Sequence, residues 1–233
     1  MNKLFKVQII ACGPGLKEIS EIHGVSSEWV REMIKNEALE IEIVKAYLGE
    51  FPSVSDNCAW IIMGSRYSAY DKMDWIENLK KNICLAVDNK IPILGICFGH
   101  QLLCSALGAE VSNNPEGWEI GSSKVSLTDK GVESPLFKDF DDSFYVYQSH
   151  HDVVSQLPPN VDLLCSNKFG VQSVSFSDHV FGVQFHPEFS HKVMNAYFNA
   201  RTKDLEEGDF RVLDINDGSR IIDNFINIFL KEG

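Results

Sequence analysis

Through the first hundred residues, short apolar runs alternate with amphipathic helical stretches, a rhythm that implies a parallel sheet covered by helices on both faces. Lys6 to Cys12 is an apolar run stopped by Gly13-Pro14-Gly15, as expected of a buried first strand. Ser27 to Asn36 carries Trp29, Val30, Met33 and Ile34 at helical spacing, with the serines as the expected N-cap. A second strand is expected at Glu40 to Tyr47. Further strands follow at Cys58 to Met63 and Ile91 to Ile96, separated by a helix at about Trp75 to Asn89.

The second half has a different texture. Lys124 to Leu127, Phe144 to Gln148, Leu163 to Ser166, Gln172 to Phe176 and Phe181 to Phe185 read as short strands without long helices between them, so this half is expected to be antiparallel or mixed. His191 to Glu206 reads as a helix, Glu207 to Gly218 as a polar loop and Ser219 to Leu230 as a last helix. No repeat or linker divides residues 1–233, which are expected to form one domain.

Composition excludes several function classes. There are 21 Lys+Arg against 33 Asp+Glu, a net charge of −12 that repels nucleic acid and anionic lipid, so neither is an expected partner. No apolar run approaches the roughly 20 residues of a membrane span. The six cysteines form no CxxC pair and no leader looks secretory, so free thiols in a cytoplasmic protein are expected.

The chemistry concentrates in Leu94 to Leu103, LGICFGHQLL, where an apolar strand runs into a helical pattern through Gly95-Ile96-Cys97-Phe98-Gly99. Gly-x-Cys-x-Gly is the thiol counterpart of the serine nucleophile elbow, which lifts the nucleophile on a strained turn at a helix start. The helix N-terminus there favours thiolate over thiol and supplies N–H groups to a nearby oxyanion. The other cysteines (12, 58, 84, 104 and 165) read as buried structural thiols.

Of seven histidines, His186 has the most persuasive setting, in Val183-Gln184-Phe185-His186-Pro187-Glu188, 89 residues beyond Cys97. In extended backbone residues i and i+2 share a side, so Glu188 is expected to fix one imidazole nitrogen and leave the other to Cys97. His150-His151-Asp152 has no third ligand at suitable spacing, so no metal is expected, and no nucleotide-binding glycine motif is present, so no cofactor is expected.

These segments resemble the class I (triad-type) glutamine amidotransferases. The resemblance rests on Gly95-Ile96-Cys97-Phe98-Gly99-His100-Gln101 and Phe185-His186-Pro187-Glu188, and extends to Met63 to Tyr70, Gly117 to Gly121 and Ser149 to Asp152. Stand-alone members such as the γ-glutamyl peptidases, and the glutaminase domain of GMP synthase, look most similar. The resemblance implies a three-layer α/β sandwich of flavodoxin-like type, with a mostly parallel central sheet and a smaller mixed or antiparallel one. It also implies attack of Cys97 on a γ-glutamyl amide, with His186 as base then acid and Glu188 as its orienting carboxylate. The N–H of Phe98 and that of Gly64 or Ser65 would form the oxyanion hole. Gln101, Gln184 and Arg66 are expected to contact substrate, in a pocket bounded by Trp118 and His151. Ser65-Arg66 stands where the family usually has Gly-Pro, and a backbone donor tolerates this change.

The implied reaction is glutamine hydrolysis through a thioester on Cys97, with ammonia released or passed to a separate synthase subunit. Hydrolysis of glutathione-like γ-glutamyl peptides or conjugates is the alternative, and a regulatory module with an idle triad is the third reading.

Overall fold

A computed structural model describes residues 5–203, 205 and 210–230. Its eleven strands are β1 (Phe5–Ala11), β2 (Leu39–Lys45), β3 (Cys58–Ile62), β4 (Ile93–Ile96), β5 (Glu110–Asn113), β6 (Glu119–Leu127), β7 (Ser143–His150), β8 (Asp152–Gln156), β9 (Asp162–Asn167), β10 (Gly170–Ser177) and β11 (Val180–Val183). The helices are α1 (Lys17–His23), α2 (Ser26–Met33), α3 (Asp74–Asp88), α4 (Phe98–Ala106), α5 (Asp129–Glu133), α6 (His191–Thr202) and α7 (Ile221–Leu230).

Nine strands form one sheet in the order β2-β1-β3-β4-β11-β10-β9-β6-β7, and β5 pairs with β8 in a small antiparallel sheet. The ladders from β2 to β11 are parallel and those from β11 to β7 antiparallel. The fold is therefore the expected α/β sandwich with one refinement: the antiparallel strands extend the central sheet, and the separate small sheet is β5–β8, which the sequence reading did not find. Glu110–Asn113 is three polar, exposed residues around one Val, with none of the apolar alternation that marks a strand.

The parallel strands alternate sides, and both sides are buried. Val7 and Ile9 of β1, with Ala59 and Ile61 of β3, pack against Val30 of α2 and Phe225 of α7. Their neighbours Ile10, Trp60 and Ile62 pack on the opposite face with Ile76 and Leu79 of α3 and Leu102 of α4. Apolar runs buried on two faces are what a helix-covered parallel sheet requires. Gln8, on the same strand, is buried without penalty because its amide exchanges 2.8 Å hydrogen bonds with the Ser53 backbone.

Several helices differ from expectation. α2 begins at Ser26, and its N-cap is Val25 with no side-chain hydrogen bond, so the serines lie inside the first turn. α6 ends at Thr202; residues 204 and 206 of the expected helix, and 207–209 of the expected loop, lie outside the described residues. α1 and α5 are too short for periodicity to reveal. No helix among the described residues is long and apolar enough to cross a membrane.

Candidate active site

Parallel strands end on one edge, and there this fold gathers its polar groups. β3 runs out into Met63-Gly64-Ser65, β4 into Cys97, and β11 toward His186. Cys97 is the N-cap of α4 at φ 52° and ψ −106°, a left-handed conformation that is strained for a side chain with a Cβ. Two close approaches hold it there. A Cβ on Gly99 would fall on the Ile62 carbonyl of β3, and one on Gly95 would lie 2.5 Å from the Gly99 oxygen. The Cys97 N–H donates to the Val183 carbonyl at 2.9 Å, tying the turn to β11. The strain is thus imposed by packing, and it sets the thiol at a helix start.

His186 and Glu188 meet as expected, although not in a strand. β11 stops at Val183, and His186-Pro187-Glu188 forms the turn beyond it, braced by the Asn216 amide donating to the carbonyls of His186 and Phe189 at 3.1 Å each. His186 Nδ1 lies 2.9 Å from Glu188 Oε1. Phe189 stacks on the imidazole at 4.0 Å between ring centres. Burial disfavours charge on His186, but the Glu188 carboxylate and the Cys97 thiolate outweigh it and push the pKa up to about 10. With Nδ1 committed to Glu188, Nε2 is left for the thiol. A Cβ on Gly64 would stand 3.1 Å from His186 Cε1 and 3.7 Å from Cys97 Cβ, so Gly64 borders both groups.

Phe98 opens α4, placing its N–H among the helix-start donors that lack an intrahelical acceptor. The Ser65 hydroxyl donates to the Cys12 carbonyl at 2.7 Å, and it accepts the Tyr67 N–H at 3.3 Å. This side chain fastens the turn after β3 to the end of β1.

Two clefts of about 40 Å³ each flank Cys97. One contains Gly64, His186 and Tyr197; the other contains Gln101, Trp118, His151 and Asp152; Ser65, Arg66, Ser149 and Arg201 line both. Gln184 does not reach either. It is fully buried behind Gln101, whose Nε2 donates to Gln184 Oε1 at 3.1 Å and to the Asp152 carbonyl at 2.8 Å. The direct substrate contact expected of Gln184 is therefore corrected to support of Gln101. Trp118 and His151 meet edge to face at 4.8 Å, and both line the second cleft.

Tyr197, Arg201 and Asn216 were missed in the sequence, and Asp152 was read only as part of a loop segment. Asp152 accepts hydrogen bonds from Ser68 Oγ at 2.6 Å and Tyr70 at 3.0 Å, clamping the loop after β3 to the start of β8. Tyr197 and Arg201 come from α6, four residues apart on one helix face, a spacing that could have flagged them. Half-buried Tyr197 has its pKa pushed up to about 12 by its loss of solvent and by the nearby Glu188 carboxylate. Asn216 carries no pattern of its own. Of the other cysteines, four are buried as expected, whereas Cys84 is exposed on α3. Burial pushes the Cys12 and Cys104 thiols far up. Among the described residues no cluster of three His, Cys, Asp or Glu side chains is placed to hold a metal ion.

The chain is 29% identical over 199 residues to γ-glutamyl peptidase 2 of Arabidopsis thaliana, covering 83% of this chain and 80% of that one. It is 31% identical over 153 residues to γ-glutamyl peptidase 5 of the same plant, covering 63% of this chain and 61% of that one. One component of the glutamine-hydrolyzing GMP synthase of Methanococcus aeolicus is 37% identical over 118 residues, or 50% of this chain and 61% of that one. A glutamine amidotransferase from Thermotoga maritima has the same fold, with a TM-score of 0.74 at 23% identity over 99% of this chain and 98% of its own. The family model described as glutamine amidotransferase class-I matches residues 24–203. The chain belongs to the class-I glutamine amidotransferase family.

Proposed function

We propose that this chain hydrolyses a γ-glutamyl amide bond through a thioester on Cys97. The observation that carries the reading is the strained Cys97 at the start of α4 beside a His186 whose other nitrogen is held by buried Glu188. The thiolate attacks the γ-carbonyl carbon, and the oxygen gains charge facing the N–H groups of Phe98 and of Gly64 or Ser65. The carbon–nitrogen bond then breaks as His186 gives its proton to the leaving nitrogen. Water, deprotonated by His186, attacks the thioester carbonyl, releasing glutamate and returning the thiol. Nothing in these steps calls on a metal or cofactor.

Glutamine, whose side-chain amide nitrogen leaves as ammonia, is the smallest substrate of this kind. A second reading, hydrolysis of γ-glutamyl peptides, is favoured by a broader cleft that shares Trp118 with the site. Transfer of ammonia to a synthase subunit would need a partner that supplies acceptor activation. The free thiols support a reducing, cytoplasmic setting. The test is incubation of the purified chain and its Cys97→Ala variant with glutamine and with a γ-glutamyl dipeptide, measuring glutamate and ammonia. Glutamate released from either substrate only when Cys97 is present supports the reading. Equal rates for the two proteins, or none for either protein, would reject it.

A further inference from the structure

A cleft much wider than those that hold Cys97 lies along β6. It measures about 590 Å³ and opens where the sheet parts. β6 pairs with β7 along Glu119 to Ser126, but it meets β9 only at Ser126 and Leu127. Between the parted strands the walls are Ser122, Ser123, Lys124 and Ser126 on one side and Lys168 and Phe169 on the other, with Arg211 above. The Arg211 carbonyl accepts the Ser122 N–H at 2.7 Å, so this strap is fastened to β6.

Three observations connect the cleft to the catalytic edge. Trp118 lines both the wide cleft and the Asp152 side of the site. Ile120, in the wide cleft, pairs across the ladder with Ser149, which borders Cys97 on both sides. Arg201 lies over the Trp118 ring at 4.9 Å, and its buried Nε has no hydrogen-bond partner among the described residues. A buried, unmatched donor beside the nucleophile favours an anionic acceptor supplied by substrate.

The charge pattern names the chemistry. In a protein of net charge −12, Lys124, Lys168 and Arg211 surround one cavity, and none of them pairs with an acidic group among the described residues. Glu119, the buried carboxylate of this wall, is engaged with His150 at 3.0 Å, Gln172 at 2.9 Å and Asn167. Glu116 is the other carboxylate, at the exposed rim. Cations, hydroxyls and the faces of Trp118 and Phe169 suit a peptide with an apolar side group and a terminal carboxylate.

We propose that the β6–β9 cleft binds the leaving portion of a γ-glutamyl peptide or conjugate that ends in a free carboxylate. The assignment rests on the γ-glutamyl hydrolase reading above and narrows its substrate class. The γ-glutamyl group occupies the narrow clefts at Cys97, and the chain beyond the scissile nitrogen passes Arg201 and Trp118 toward Lys124 and Lys168.

The test compares two γ-glutamyl pentapeptides that differ only in a C-terminal carboxylate or carboxamide, because Lys124 lies four strand residues, roughly 13 Å, beyond the Ile120 that pairs with Ser149. The ratio of their kcat/KM values is measured for wild type and for the Lys124→Gln, Lys168→Gln double variant. Both lysines are exposed, so folding is not at risk. The wild type should prefer the acid, and the double variant should lower the acid-to-amide ratio roughly fivefold, as two exposed charge interactions together can supply. In wild type the ratio should also fall as salt rises. A ratio that neither the variant nor salt alters, with Cys97-dependent hydrolysis of both pentapeptides intact, would overturn the cleft assignment and leave the hydrolase reading standing. Hydrolysis of glutamine alone would likewise overturn the cleft assignment, whereas no hydrolysis of any γ-glutamyl compound would remove both.

Discussion

The parallel and antiparallel halves of the sheet bury different things. Around β1, β3 and β4 the interior is apolar on both faces, and the polar groups wait at the strand ends where Cys97 and His186 sit. In the antiparallel half, Glu119, Gln148, His150 and Gln172 are themselves buried and bonded to one another across strands. An apolar half can enforce a strained nucleophile because its backbone packs too closely to relax. A polar half holds its side chains by directional hydrogen bonds, which fix where each one points. The comparison teaches a division of labour. Damage to the first half should strike turnover of every substrate, and damage to the second should strike stability and discrimination.

The largest effect expected from a base is at His186. His186→Ala should lower kcat by about 10² to 10⁴-fold on any γ-glutamyl substrate, measured by steady-state glutamate release. Equal sparing of one substrate would break the claim that this half serves chemistry alone. Next, Gly99→Ala drives a methyl group into the Ile62 carbonyl of β3 and should destabilise the protein by about 3 kcal/mol, read from urea unfolding. An unchanged midpoint would mean that the elbow is not held by this contact.

Glu188→Gln should cost no more rate than His186→Ala, roughly 10²-fold, and the two losses should not multiply in the double variant. The same change should lower the His186 pKa from about 10, because it removes the largest of the charges that raise it. Nitrogen NMR of the imidazole checks both signs: protonated at pH 8 in wild type, less so in the variant. A raised histidine pKa stabilises the fold below its ordinary 6.5, and that contribution is lost as pH rises through about 10.

The smallest effect belongs to the antiparallel half. Burial alone would raise the Glu119 pKa, but hydrogen bonds and charge from His150, with further hydrogen bonds, hold it below its ordinary 4.5. Its stabilisation is therefore complete above 4.5 and lost as pH falls through the depressed value. Glu119→Gln should narrow the difference in melting temperature between pH 7 and pH 4. A difference as wide as that of wild type would show that the carboxylate is not the acid-sensitive group.

The first half was the more legible of the two. Apolar runs such as CAWIIM announce strands buried on both faces, and the spacing of glycines around Cys97 announces an elbow, because both depend on neighbours in sequence. His186 and Glu188 were legible for the same reason, as a pair two residues apart. The cluster around Glu119 was not, since its members join only through the register that sets Glu119 opposite His150. Asp152, Tyr197, Arg201 and Asn216 reach the site from distant parts of the chain, and Gln184 looked like a substrate contact until Gln101 was seen to stand in front of it. Local patterns record local geometry; a site assembled from distant segments leaves its trace only in tertiary packing.

The most direct test of the account is to quench the protein with acid during turnover of a γ-glutamyl substrate and map the adduct by mass spectrometry. The account predicts a mass increase of one glutamyl residue on the peptide that contains Cys97, absent from Cys97→Ala. A glutamyl adduct on exposed Cys84, or steady turnover by Cys97→Ala, would contradict it.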